Sequence, residues 1–187
     1  MNKEVYLIRH GESEANLATD LDNPKFYYDA KLTSHGKKQA QDTQKKLKNI
    51  DFDLLLCSPL TRALQTFSLI FPNLSQEAVI LPFTREHSLC SSEVGRQPSI
   101  LAEEFTDFKF NNLKNFWWNN NIDIDEKKII FESMEELDKR VSIFKKWIHN
   151  RSEKKIALVS HGTFISRITN YLLNNCEFEI WYPDNKF

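Results

Sequence analysis

The sequence predicts an α/β fold, a three-layer α/β/α sandwich around a mostly parallel central sheet. Three observations predict it. Four short apolar runs read as buried strands, segments with helical spacing separate them, and each run leads directly into a group of polar or charged residues.

The runs are Val5–Ile8, Leu54–Cys57, Val79–Leu81 and Ile156–Val159. They are continuous in apolar character, as strands buried on both faces of a parallel sheet are. The intervening helices show steps of three and four residues. Ala40, Thr43, Leu47 and Ile50 mark the first, with Ser34 as its cap. Leu60, Ala63, Leu64, Phe67 and Phe71 mark the second, opened by Ser58 and Pro59. Met134, Leu137, Val141, Phe144 and Ile148 mark the third, and Thr163–Leu173 offers one more. Strand–helix alternation of this kind argues for a parallel sheet covered by helices.

A length of 187 residues suits a single domain over 1–187, with a small cap or loop insert around 91–131. Lys and Arg (25) nearly balance Asp and Glu (26), so charge supplies no attraction to nucleic acid or an anionic membrane. Cys57, Cys90 and Cys176 are odd in number and lack metal-binding or paired spacing, which excludes a disulfide framework or zinc site and fits a reducing compartment. The apolar stretch in MNKEVYLIRH is too short for a signal peptide, and no run approaches the length of a bilayer span. A cytoplasmic location is expected. No heptad or apolar stripe marks a subunit interface, so the oligomeric state stays open.

The residues just beyond each strand carry the chemistry. The first run leads into Arg9-His10-Gly11-Glu12, the second into Ser58, Pro59 and Arg62. The third leads into Arg85 and Glu86, the fourth into Ser160, His161 and Gly162. Ligands of open parallel sheets bind at the carboxyl ends of the strands. The fold alone therefore brings two histidines, two or three arginines and a carboxylate to one crevice. Two of the chain's four glycines, Gly11 and Gly162, directly follow these histidines.

Arginine pairs suit an oxygen-rich dianion, because each guanidinium presents a planar fork of donors. Backbone N–H groups at helix starts add anion affinity. A histidine in that setting can bind a metal, act as a base or attack as a nucleophile. No HExxH, paired carboxylate or Cys/His spacing accompanies it, and neighbouring guanidinium groups repel a metal ion. A second histidine and a carboxylate suit phosphoryl transfer, in which cations stabilise the transferring oxygens and a carboxylic acid protonates the departing alkoxide.

These residues resemble the signature of the histidine phosphatase superfamily, the phosphoglycerate mutase-like fold. Leu7-Ile8-Arg9-His10-Gly11-Glu12-Ser13 is one piece, followed by Asn16. Leu32-Thr33 with Gly36, Gln39 and Ala40 is a second, and Ser58-Pro59-Leu60-Thr61-Arg62-Ala63 with Gln65-Thr66 a third. Glu132-Ser133 ahead of Arg140, and Ser160-His161-Gly162, complete the set. The pieces run in the family's order from Met1 to about Leu173. The resemblance implies His10 as the nucleophile that becomes phosphohistidine. It implies Arg9, Arg62 and His161 as catalytic residues that bind and polarise the phosphate, with Asn16 and Gly162 also holding it. Glu86 is implied as the general acid and later the base. No metal or organic cofactor is implied, and the expected partner is a small phosphate ester.

Glu93, two residues before Gly95, is an alternative acid, and Glu86 is preferred because it lies nearer the third strand. Phosphoglycerate mutases of the family are longer and carry Glu-Arg-His-Tyr-Gly where this chain reads Arg85-Glu86-His87-Ser88. That favours a phosphatase over a mutase-type phosphotransferase. A protein phosphatase and a catalytically silent binding module are further alternatives, although the nucleophile and both arginines are present. The insert is aromatic, with Phe105, Phe108, Phe110, Phe116, Trp117 and Trp118 ahead of three asparagines. Such a segment can form a lid or a satellite apolar cluster packed on the sheet, and the satellite cluster is expected for most of it. Arg96 reads as an extra anion contact or a surface charge. His35, His87 and His149 read as surface or packing residues, and Lys37, Lys38, Lys45, Lys46 and Lys48 as a solvated helix face.

Overall fold

The computed structural model describes residues 3–18, 27–72, 76–119 and 128–183. Strand β1 (Glu4–Arg9) leads into a single turn, α1 (Glu14–Leu17), and then α2 (Ser34–Leu47). Next come β2 (Leu54–Cys57), α3 (Thr61–Ile70) and β3 (Val79–Ile80). Helix α4 (Pro98–Glu104) lies between two short 3-10 turns, and α5 (Met134–His149), β4 (Lys155–Ser160), α6 (Gly162–Thr169) and β5 (Phe178–Trp181) close the chain.

The strands form one sheet in the order β3-β2-β4-β1-β5. β1 and β2 both pair parallel with β4, and β3 pairs parallel with β2. β5 is the antiparallel edge, pairing with β1 in the register Val5–Trp181 and Ile8–Phe178. The apolar runs predict four strands and not β5. Its residues are mostly half-buried, as at a sheet edge, and only four of them pair.

The two faces of the sheet have separate cores. Tyr6, Ile8, Leu55, Cys57, Ala157 and Val159 point to one side, where they meet Ala40 and Leu47 of α2 and Ala63, Leu64 and Phe67 of α3. Val5, Leu7, Leu54, Leu56, Ile156 and Leu158 point to the other, against Leu137, Val141 and Phe144 of α5 and Phe164 and Ile165 of α6. The period-2 alternation of a pleated strand divides the apolar runs between the layers. The result is a three-layer α/β/α sandwich.

The insert joins the first of these cores. Val94, Leu101, Phe108, Phe110, Leu113, Trp117 and Trp118 are buried with α2 and α3. Phe67 stacks edge-on to Phe108 at 5.4 Å between ring centroids. These aromatics are core and not a separate satellite. Asn120, Asn121 and the rest of 120–127 lie outside the described residues.

Several element ends differ from those the sequence predicts. Thr33, not Ser34, caps α2, its hydroxyl accepting from Gly36 N at 2.9 Å. Helix α3 opens at Thr61 and not at Ser58-Pro59. Its first N–H is taken by the distant Asp29, with Thr61 N donating to Oδ1 at 2.8 Å. Local sequence could not supply that cap, because Asp29 reaches it only through the tertiary fold. α2 ends before Ile50 and α3 before Phe71, and α6 stops at a left-handed Asn170 and not at Leu173.

Candidate active site

The crevice lies at the carboxyl ends of β1, β2 and β4, where the strand order reverses direction. His10 leaves β1 with its N–H donating to Ser160 O at 2.9 Å, so the ends of β1 and β4 stay in register. The His10 carbonyl accepts from Asn175 Nδ2 at 3.0 Å and Cys176 N at 3.2 Å. The next amide, Gly11 N, donates to Thr66 Oγ1 at 2.9 Å, and Glu12 N to Gln39 Oε1 at 2.8 Å. The loop is therefore fixed by side chains of α2 and α3. A Cβ on Gly11 would stand 2.5 Å from Gly36 O, and one on Gly36 would strike the Glu12 backbone. Close approach of α2 to this loop requires both glycines. Neither has positive φ.

The His10 ring is nearly inaccessible and its Nδ1 lies 2.6 Å from Gly11 O. A carbonyl only accepts, so Nδ1 carries the proton. Burial, and then the Arg62 charge, hold the imidazole well below its usual pKa of 6.5. The neutral ring then has an unprotonated Nε2 whose lone pair is available at neutral pH.

His161 caps the start of α6, with its ring centroid 5.1 Å from that of His10. Its Nε2 lies 2.7 Å from Ser58 Oγ. It too is fully buried, and burial together with the Arg62 charge lowers its pKa well below 6.5.

The two arginines are held differently. Arg62, buried at the start of α3, donates Nη1 to Ser92 O at 2.7 Å and Nη2 to Glu93 Oε1 at 3.2 Å. Arg9 donates Nη1 to Leu173 O at 2.6 Å. Its Nε has no partner among the described residues. The Arg9 guanidinium lies against Gly162, where an added Cβ would be 3.1 Å from Nε. Asn16 is exposed near His10. Its amide oxygen accepts from Ser13 N at 3.0 Å and from Asn175 Nδ2 at 3.3 Å, which leaves its NH₂ to donate outward.

Glu86 and Glu93 occupy different places. The Glu86 carboxylate accepts from the first amides of α6, Thr163 N at 3.1 Å and Phe164 N at 3.2 Å, and is part-exposed beside Arg9. Glu93 is 6 % exposed, accepts from Cys90 N at 3.0 Å, and is committed to Arg62 and the Ser92 hydroxyl. It supports an arginine and has no free oxygen facing solvent.

Behind Glu86, Arg140 of α5 donates to the carbonyls of Phe83, Arg85 and Glu86 at 2.8, 3.0 and 3.2 Å. The same guanidinium makes two 2.5 Å bonds to Glu132. Arg85 is buried on this side, 3.6 Å from Glu132. Arg96 is neither a free surface charge nor an anion contact. It bonds Asp29 at 2.8 Å and Glu104 at 2.7 Å and also reaches the Thr61 hydroxyl, bracing the start of α3. His87 packs, with Nε2 2.7 Å from Glu132 O. Sequence reasoning does not point to Thr66, Asp29 or Asn175 as these supports. Thr66 stands within one of the motifs, whereas Asn175 lies beyond the last one.

Two buried neutral histidines make stability depend on acid. Their folded pKa values lie below 6.5, so between pH 6.5 and about 5 the unfolded chain binds more protons than the folded one. Stability therefore falls as pH falls, by up to about 1.4 kcal/mol per pH unit for each histidine. The midpoint of urea unfolding is expected to be flat above pH 7 and to decline from pH 6.5 to 5. His161→Ala should shallow that decline, and an unchanged slope would mean that the ring is already charged in the folded state.

This crevice of two histidines, two arginines and a carboxylate sits in a chain that belongs to the histidine phosphatase superfamily (branch 1), matched over residues 5–184. Phosphoglycerate mutase-like protein 1 of Arabidopsis thaliana is 28% identical over 219 residues, covering 98% of this chain and 75% of the relative. The uncharacterized phosphatase PhoE of Bacillus subtilis is 26% identical over 191 residues, covering 93% of this chain and 88% of the relative. Among solved structures, the α-ribazole phosphatase of Shigella flexneri superposes with a TM-score of 0.64 at 24% identity, covering 95% of this chain and 89% of that one. The phosphoserine phosphatase of Entamoeba histolytica, in complex with 3-phosphoglyceric acid, gives 0.56 at 22% identity over the same shares. At these identities the superpositions establish the fold. Among the described residues no helix is long and apolar enough to cross a membrane.

Proposed function

We propose that the chain is a phosphoric monoester hydrolase that works through a phosphohistidine on His10 and acts on a small phosphorylated substrate. The observation that carries this reading is the His10 ring, held by Gly11 O at Nδ1 and kept neutral, with Nε2 left as the attacking atom.

In the first step Nε2 attacks phosphorus, the N–P bond forms and the ester P–O bond breaks. Arg9, Arg62 and His161 stabilise charge on the transferring oxygens, and Asn16 and the Gly162 backbone help hold them. Glu86, protonated, gives its proton to the departing oxygen. In the second step the Glu86 carboxylate takes a proton from water, the water oxygen attacks phosphorus, and the N–P electron pair returns to Nε2.

Hydrolysis is preferred over mutase-type transfer because a mutase must keep water from its phosphoenzyme. Within the described part of the insert, the large aromatics are packed into the core and are not available to close over the crevice. A phosphatase assignment also agrees with the activities named for the Shigella and Entamoeba proteins.

Glu86→Gln tests the acid. It should slow alkyl phosphates by roughly 10²- to 10⁴-fold, the usual worth of general acid catalysis. p-Nitrophenyl phosphate, whose leaving group needs little protonation, should lose far less. Equal losses on both substrates would remove Glu86 from the acid role.

A further inference from the structure

We propose that Gln39 is a positioning residue for the nucleophile, its side-chain oxygen holding the Gly11–Glu12 peptide so that Gly11 O faces Nδ1 of His10. The effect on catalysis rests on the hydrolase reading above. The effect on the ring does not.

Two contacts meet on one peptide unit. Glu12 N donates to Gln39 Oε1 at 2.8 Å, and Gly11 O lies 2.6 Å from His10 Nδ1. That N–H and that carbonyl belong to the same planar group, which is trans and turns only as a whole. They point to opposite edges of it, so an acceptor that fixes the N–H also fixes the direction of the carbonyl. The donor and acceptor roles follow from the atoms. A backbone N–H only donates, so the Gln39 atom that meets it is the amide oxygen. A carbonyl only accepts, so Nδ1 carries the proton.

This peptide is the one in the loop with the greatest freedom to turn, because it follows a glycine. The bonds on either side of it do not hold it. Gly11 N donates to Thr66 Oγ1, but that amide belongs to the preceding peptide. Thr33 N donates to Glu12 O at 3.0 Å, and that carbonyl belongs to the following one. Apart from the His10 ring itself, Gln39 is the side chain that bonds the peptide between them among the described residues.

Docking of α2 on the loop does not depend on the same bond. The Thr33 hydroxyl donates to the Glu12 carboxylate at 2.7 Å, Thr33 N holds Glu12 O, and Gly36 packs directly on the Glu12 backbone. Removing the Gln39 oxygen therefore frees one peptide and leaves the helix in place. Once the carbonyl turns away, Nδ1–H loses its acceptor and the ring is no longer held with Nε2 as the bare nitrogen.

The experiment compares Gln39→Met, which has nearly the same length and no amide oxygen, with Gln39→Glu, which keeps an acceptor. Long-range ¹H–¹⁵N correlation spectra of the uniformly ¹⁵N-labelled proteins at pH 7.5, with His10→Ala as the assignment control, report the His10 ring. The expected result is Nδ1–H in the wild type and in Gln39→Glu, and a shift toward Nε2–H in Gln39→Met. An Nε2–H ring in the wild type overturns the proposal, and that measurement requires no folded variant. An unchanged Nδ1–H signal in Gln39→Met, with circular dichroism confirming the fold, also overturns it.

Activity then tests the consequence. With p-nitrophenyl phosphate, Gln39→Met should lower kcat by about ten- to a hundredfold, as a misplaced reacting group does, and leave KM nearly unchanged because Arg9 and Arg62 are untouched. Gln39→Glu should recover most of that loss. An equal loss in both variants overturns the role of the acceptor. Absence of any turnover by the wild type refutes the hydrolase reading, while the spectra still decide whether Gln39 holds the ring.

Discussion

His10→Ala is expected to lower the hydrolysis of p-nitrophenyl phosphate by about 10⁴-fold or more if His10 is the nucleophile proposed above, because residues of a catalytic unit act together. Among the described residues no second imidazole is placed to take over. His161 is the nearest imidazole, and its Nε2 is already bonded to Ser58. The variant should still fold, since the His10 backbone makes its own bonds to Ser160, Asn175 and Cys176. Rapid acid-sensitive labelling by a phosphorylated substrate should appear on the wild type and vanish in the variant. Substantial turnover by His10→Ala, with circular dichroism confirming the fold, would reject His10 as nucleophile.

Arg62→Ala is expected to act on stability and activity together. The guanidinium is buried against the carbonyl of Ser92 and the carboxylate of Glu93, which is itself 6 % exposed. Truncation strands that carboxylate without its cation. Breaking a buried pair in this way costs about 3 kcal/mol or more. On the proposed reading Arg62 also holds the phosphate, so its loss should lower kcat by about 10²- to 10³-fold. The double variant Arg62→Ala/Glu93→Ala should recover part of the stability, because the stranded charge is gone, and none of the activity. Chemical denaturation and steady-state kinetics on the three proteins separate the two effects. If Arg62→Ala is no less stable than the wild type, Glu93 is not relying on the arginine as the geometry indicates.

Glu86 and Glu93 show how far residue type alone can go. Both are glutamates in one loop, seven positions apart, and their spacing from the third strand favours Glu86. The separation becomes a physical one only when the chain folds. Glu86 meets the amides of Thr163 and Phe164 at the start of α6, and Glu93 is enclosed with Arg62. Arg96 is a similar case. Its partners Asp29 and Glu104 are 67 and 8 residues away, and no local pattern links the three.

By itself the sequence determined the sheet's parallel strands, the helices that cross between them, and the placing of His10, Arg62, Glu86 and His161 just after strand ends. Those features depend on local periodicity and on a rule of parallel sheets, so they can be read along the chain. Only the tertiary structure decided the edge strand Phe178–Trp181, the Asp29 cap of α3, the insertion of Phe108, Phe110 and Trp117 into the core, and the proton position on the His10 imidazole. Each of these depends on contacts between residues distant in sequence or on how the strand ends meet. Hydrogen-bond partners such as Gly11 O for His10 and Ser58 Oγ for His161 are set only once those ends have been brought side by side.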